Sequence, residues 1–140
     1  MKVKTAALLA AGIALVESAL ILGGSVPPLA AYAMENLFFS LLLYFVIIYC
    51  ALGFAGNLKR AAAAGAEIAL SANIVYSLAI FAGWAVGVPV LGVRVPDMYS
   101  LAFVILVSLI LNTLLGACVA ALVAWVAVKV KVKKAGKGQP

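Results

Sequence analysis

Residues 101–128 read LAFVILVSLILNTLLGACVAALVAWVAV, without one charge, and run directly into KVKVKK at 129–134. An α-helix of about 20 apolar residues crosses a ~30 Å hydrocarbon layer, so this stretch reads as a spanning helix stopped by a basic anchor. That last run begins near Met98 or Leu101. Upstream, three more follow the same plan: Thr5 to Leu22, Leu37 to Gly56, and Ala62 to Val86. Between them lie the breaker Gly23-Gly24-Ser25-Val26-Pro27-Pro28, the basic segment Asn57-Leu58-Lys59-Arg60, and Gly87-Val88-Pro89. The expected fold class is all-α, a four-helix integral membrane protein.

Composition supports the same reading. Hydrophobic residues make up 68% of the 140-residue chain, and mean hydropathy is +1.27. A soluble domain is roughly half apolar, so lipid must cover part of this surface. Nine of the ten Lys and Arg residues fall in three clusters: Lys2 and Lys4, then Lys59 and Arg60, then Lys129, Lys131, Lys133, Lys134 and Lys137. Arg94 stands apart. Short basic segments beside spans stay on the cytoplasmic side, which puts both termini and the central loop inside and makes the number of crossings even.

The formal charge of +6 is confined to these clusters. Lys59, Arg60, Lys129, Lys131, Lys133 and Lys134 are therefore expected to meet anionic lipid or another polyanion. There is no basic face interleaved with aromatics and no nucleic-acid-binding module. Lys2, Lys4, the first apolar run and the triplet Ala31-Tyr32-Ala33 also resemble a secretory signal and its cleavage site. The expectation is that this segment is retained as the first span.

The chain has no His, four acids and two Cys, Cys50 and Cys118, both inside apolar runs. Buried free Cys behaves as a small hydrophobe, so neither a disulfide nor a metal site is expected. Catalytic and cofactor motifs are absent, and without His the commonest general base is missing. The reading is a non-enzyme that needs no cofactor, with phospholipid as the one bound small molecule in view and no small-molecule substrate identified.

The two halves look alike. Val26-Pro27-Pro28-Leu29 matches Val88-Pro89-Val90-Leu91, with Glu35 and Asp97 following at the same interval, and Val16-Glu17-Ser18 can be laid against Val75-Tyr76-Ser77. This suggests a tandem hairpin, repeat 1 over 1–58 and repeat 2 over 59–128, followed by a basic tail at 129–140. Like-oriented repeats imply a pseudo-two-fold axis along the membrane normal. Glu17 and Glu67 are the intramembrane acids, and such groups are functional candidates by default. Glu17 reads either as a group that exchanges protons or cations, or as a carboxyl hydrogen-bonded to a neighbouring helix. Glu67 reads as turning back toward Arg60. Ser108, Asn112, Gly116, Ala120 and Ala124 recur at every fourth residue, and Gly65, Ala69, Asn73 and Ser77 repeat the pattern. Small residues at that spacing mark close helix packing, within one chain or between copies.

Small-residue-rich apolar hairpins, basic ends and the short basic loop Asn57-Leu58-Lys59-Arg60 resemble the pilins of conjugation and type IV secretion machines, including archaeal relatives used for DNA exchange. The resemblance covers the helical organisation but carries no diagnostic motif. It implies a structural subunit that assembles with copies of itself into a hollow extracellular filament, with bound phospholipid and DNA passing through a lumen lined by the basic loop. Such pilins have two helices where this chain has four. A second resemblance, to small multidrug-resistance exporters, lies in the four-span size and the lone acid Glu17. It implies a proton- or cation-coupled transporter, although the strong charge bias and the lack of a glycine-rich third helix depart from that group. An accessory subunit of a larger membrane complex is the third reading.

Overall fold

Glycines, prolines and capping side chains divide the apolar sequence into four helices: α1 Val3–Leu22, α2 Met34–Leu52, α3 Leu58–Val86 and α4 Met98–Ala135. The structure, a computed structural model, describes the backbone of residues 1–31 and 33–135 and the side chains as far as Val130. Among the described residues there is no strand. All four helices are long and apolar enough to cross a membrane.

The helix ends follow local chemistry. Asn57 Oδ1 accepts from the Arg60 amide at 3.0 Å, a side-chain cap that starts α3. Gly87, at φ +77°, ends it in the left-handed conformation that glycine adopts without penalty. Asp97 starts α4: its Oδ1 accepts from the Ser100 amide at 2.9 Å and its Oδ2 from the Ser100 hydroxyl at 3.0 Å. These bonds hold the exposed Asp97 carboxyl below its ordinary range.

Three boundaries differ from the sequence reading. Helix α3 begins at Leu58 rather than Ala62, so Lys59 and Arg60 sit in its first turn and not in a loop. The Asn57 cap and good helix formers beyond it account for the shift. Helix α2 spans Met34–Leu52 rather than 37–56, beginning with Glu35 in its first turn, where the helix dipole favours an acid. Helix α4 runs on through the basic segment to Ala135, because Lys propagates a helix almost as well as Leu. The side chains of Lys131, Lys133 and Lys134 lie outside the described residues, as do Lys137 and Tyr32 of the Ala31-Tyr32-Ala33 triplet.

The helices alternate in direction. Asn73 meets Asn112 while Gly65, earlier in α3, meets Gly116 and Ala120, later in α4. The start of α1 approaches the end of α2, where Cys50 Sγ lies 3.8 Å from the Met1 carbonyl. This alternation gathers Lys2, Lys4, Lys59, Arg60 and Lys129 at one end, the basic end, and leaves Arg94 at the opposite end. At the other, the proline end, the two loops join through the Leu29 amide and the Val90 carbonyl at 2.9 Å.

Helix α3 lies between α1 and α4 and makes the most extensive contacts with both, whereas α2 packs more lightly on the other three. The main core is built from small residues, among them Ala6, Ala10, Ala14, Ala69, Ala72 and Ala120. Large apolar residues such as Leu8, Leu15, Leu41, Phe45, Leu111 and Leu114 face outward. A soluble bundle does the reverse. Between helices in lipid there is little hydrophobic gain, so close backbone approach by small residues supplies the contact, and the large residues meet acyl chains.

The tightest approach is between α3 and α4. A Cβ placed on Gly116 would come to 2.5 Å from Ala69 Cβ and 2.8 Å from the Gly65 carbonyl oxygen. Only glycine fits there. Buried positions on α1 also recur on α3 at the 59-residue spacing that separates Glu17 from Tyr76: Ala10 with Ala69, Ala14 with Asn73, and Ile21 with Ile80.

Candidate functional site

Between the four helices lies a cavity of about 320 Å³, bounded by Ala10, Ala69 and Gly116 toward the basic end and by Leu29 and Leu91 of the proline loops. Its polar groups come from every helix: Glu17 from α1, Asn36, Ser40 and Tyr44 from α2, Asn73, Tyr76 and Ser77 from α3, and Ser108 and Asn112 from α4. The rest of its lining is apolar.

Glu17 is 1% exposed, placed by helical periodicity on the inward face that also carries Ala10, Ala14 and Ile21. The Tyr76 hydroxyl donates a hydrogen bond to its Oε2, while Oε1 has no partner among the described residues. A charged carboxylate in hydrocarbon is costly, and among the described residues no Lys or Arg lines this cavity to offset it.

One turn from Tyr76, on the side toward the basic end, Asn73 Nδ2 donates to the Ala69 carbonyl at 2.9 Å and Asn73 Oδ1 accepts from Asn112 Nδ2 at 3.1 Å. The Ser77 hydroxyl donates to the Asn73 carbonyl at 2.7 Å. At the proline end Asn36 Nδ2 donates to the carbonyls of Pro28 at 2.9 Å and Pro27 at 3.2 Å.

The residues singled out in the sequence separate into three groups. Glu17, Ala69, Asn73, Ser77, Ser108, Asn112 and Gly116 all line the cavity. Gly65, Ala120 and Ala124 lie buried beyond it toward the basic end; Gly65 abuts Gly116 and Ala120, so the two stripes meet each other inside one chain. Glu67 is different. It lies exposed on α3, away from the cavity lining, and makes no ion pair with Arg60 among the described residues; the two stand about two helical turns apart, roughly 10 Å along the axis, and both are exposed.

Lys59 and Arg60 are exposed in the first turn of α3, and Lys129 Nζ sits 3.8 Å from the centre of the Trp125 ring, a cation–π contact at the basic end. Sequence reasoning missed Asn36, Ser40, Tyr44 and Tyr76 as site residues. The signal for Tyr76 was present, since the internal match sets it against Glu17, but spacing along the chain does not say that two matched residues touch.

The described residues contain no group of three or more His, Cys, Asp or Glu able to hold a metal ion. With one carboxylate, one phenol bonded to it and a ring of amides and hydroxyls, the site can take up and release a proton, or hold one positive charge.

The class these features define is a four-helix, membrane-compatible chain with a polar cavity at its centre. Compared with known proteins, it matches no family model, no curated protein and no solved structure.

Proposed function

We propose that this chain is a small integral membrane protein that moves a proton or a monovalent cation across the bilayer, with Glu17 as its exchangeable carboxylate. The observation that carries this reading is the burial of Glu17 in a polar cavity with no basic side chain among the described residues of its lining. The Tyr76 hydroxyl bonds Oε2 and Oε1 has no partner among the described residues, which leaves one carboxyl oxygen for an exchanged proton or cation. The basic clusters orient the bundle with its termini and the α2–α3 junction on the cytoplasmic side. The cavity then lies between the alanine and glycine packing on the cytoplasmic side and the proline loops on the far side. The recurrence of buried positions between α1 and α3 supports descent from one duplicated hairpin, with the exchange site where the two copies meet.

Self-assembly into a filament of the pilin type is the second reading, carried by the small-residue-rich hairpins, the basic ends and the short basic segment Asn57-Leu58-Lys59-Arg60, with the stripes of small residues as its packing surfaces. Those stripes lie between α3 and α4 of one chain, so a second copy would have to dock on faces built of large apolar residues. No specific contact surface favours that reading over lipid.

The test is flux. Purified protein in liposomes carrying a pH gradient and an internal pH dye is expected to dissipate the gradient in exchange for a cation. Glu17→Gln abolishes this exchange and Tyr76→Phe slows it. Equal flux in wild type and Glu17→Gln rules the assignment out.

A further inference from the structure

Two buried side chains on the cavity carry acceptor atoms that receive no hydrogen bond from the described residues. Glu17 Oε1 is one. The other is Asn36 Oδ1, on a side chain only 5% exposed. Asn36 commits its amide hydrogens to the carbonyls of Pro27 and Pro28, which fixes the orientation of the amide and leaves its oxygen without a donor. Buried acceptors are nearly always paired, and a carboxylate and an amide oxygen left over on one cavity point to a ligand that brings donors.

The charge of that ligand follows from the other groups present. Among the described residues the titratable side chains on the cavity are Glu17 from α1, Tyr44 from α2 and Tyr76 from α3; α4 contributes none of them, and no described Lys or Arg lines it. One positive charge matches one carboxylate. An inorganic cation is held by a shell of several oxygens, but much of this wall is Leu29, Leu43, Ile47, Ile68 and Ile80, which suit an apolar body. At about 320 Å³ the space holds a small organic molecule. A quaternary ammonium would supply the charge and still leave both oxygens without a donor.

We propose that the cavity binds an organic monocation bearing N–H donors, a protonated amine or guanidinium on an apolar body, with its cationic head between Glu17 Oε1 and Asn36 Oδ1. The inference rests on the transport reading of Glu17 and assigns the chemistry of the transported cation.

The test is calorimetric titration of the purified full chain in detergent near neutral pH. The probe is 2-phenylethylamine, set against its N,N,N-trimethyl derivative, the neutral 2-phenylethanol and potassium chloride. The amine is expected to bind roughly tenfold tighter than the trimethyl compound, the scale of one well-made charged hydrogen bond. The alcohol gives no saturable heat, and Glu17→Gln loses the amine. Asn36→Ala is expected to narrow the amine-to-trimethyl ratio, which partial unfolding does not change; if that variant fails to fold, the ligand series on the unmodified chain decides.

Equal affinity for amine and trimethyl compound overturns the proposal in favour of charge alone. Equal affinity for the alcohol overturns it in favour of cavity filling, and displacement of the amine by potassium at comparable concentration in favour of an inorganic cation. If the amine does not bind while Glu17-dependent flux persists, the ligand class is wrong and the transport reading stands. If both are absent, both fall.

Discussion

The Tyr76 hydroxyl donates its hydrogen bond to Oε2 of Glu17, joining two residues that stand at the same step of α1 and α3, 59 residues apart. The match of Val16-Glu17-Ser18 to Val75-Tyr76-Ser77 sets the two residues against each other when the two halves of the sequence are aligned. The acid in one hairpin thus takes its hydrogen bond from the phenol at the corresponding position of the other.

That pair sets a stability prediction. Tyr76→Phe removes the one donor that the described residues give this buried carboxyl and is expected to cost about 0.6 kcal/mol, at most about 1.7 kcal/mol. Glu17→Leu removes the costly group itself, so it should destabilise less than Tyr76→Phe, or even stabilise. In a double-mutant cycle the coupling should fall near 0.6 kcal/mol and below about 1.7 kcal/mol, the span seen for hydrogen bonds between membrane helices. Unfolding in mixed micelles measures all three, and a larger loss for Glu17→Leu than for Tyr76→Phe would contradict this ordering.

The crossing of α3 and α4 gives a second prediction. At Gly116 an added side chain meets the Gly65 backbone at 2.8 Å, which no rotamer change can relieve. Gly116→Val is expected to cost about 1–3 kcal/mol or more, visible as a lowered midpoint in thermal unfolding. A Cβ added at Gly12 would have nothing within 4 Å, so Gly12→Ala should be neutral or mildly stabilising through helix propensity. Similar midpoints for the two variants would mean that the helices do not cross here.

The α4 cap should titrate. Asp97 accepts from the Ser100 amide and hydroxyl, which lowers its pKa in the folded chain. A depressed carboxyl contributes its stabilisation above its unfolded value and loses it as pH falls through the folded one, so the cap is intact at neutral pH and lost well below about pH 4. Hydrogen exchange at the Ser100 amide is the readout. Relative to an internal amide of α4, protection should fall across that acidic window in the wild type. Asp97→Ala should be equally unprotected across the window, and the same acid-dependent loss in this variant would assign the transition to another group.

Orientation can be read by labelling. With Cys50 and Cys118 replaced by Ser, a cysteine at Arg94 should react with a membrane-impermeant maleimide added to intact cells. One at Asn57 should react only after permeabilisation. The reversed pattern would invert the bundle and put the proline loops on the cytoplasmic side.

Helix number, their approximate spans and the membrane-compatible character were legible from the sequence, because hydropathy over about 20 residues is a local property that lipid reads directly. The same holds for the gathering of charge at one end, which follows from four crossings that alternate in direction. Boundaries were less legible. Asn57, Glu35 and the lysines after Val128 act through caps, dipoles and helix propensity that a hydropathy window averages away.

The sequence by itself determined that Glu17 would lie inside an apolar helix, and that Gly65, Ala69, Asn73 and Gly116, Ala120, Ala124 would form faces able to pack closely. Only the tertiary structure decided that those two faces meet each other within one chain, that Glu67 stays outside the cavity, and that Asn36, Tyr44 and Tyr76 join Glu17 around one space. The reason is physical. A stripe of small residues fixes how near another helix can come but not which helix comes, and a buried acid states its cost without naming its partner. Rotation and pairing of helices depend on every contact in the bundle at once, and only the assembled fold holds that information.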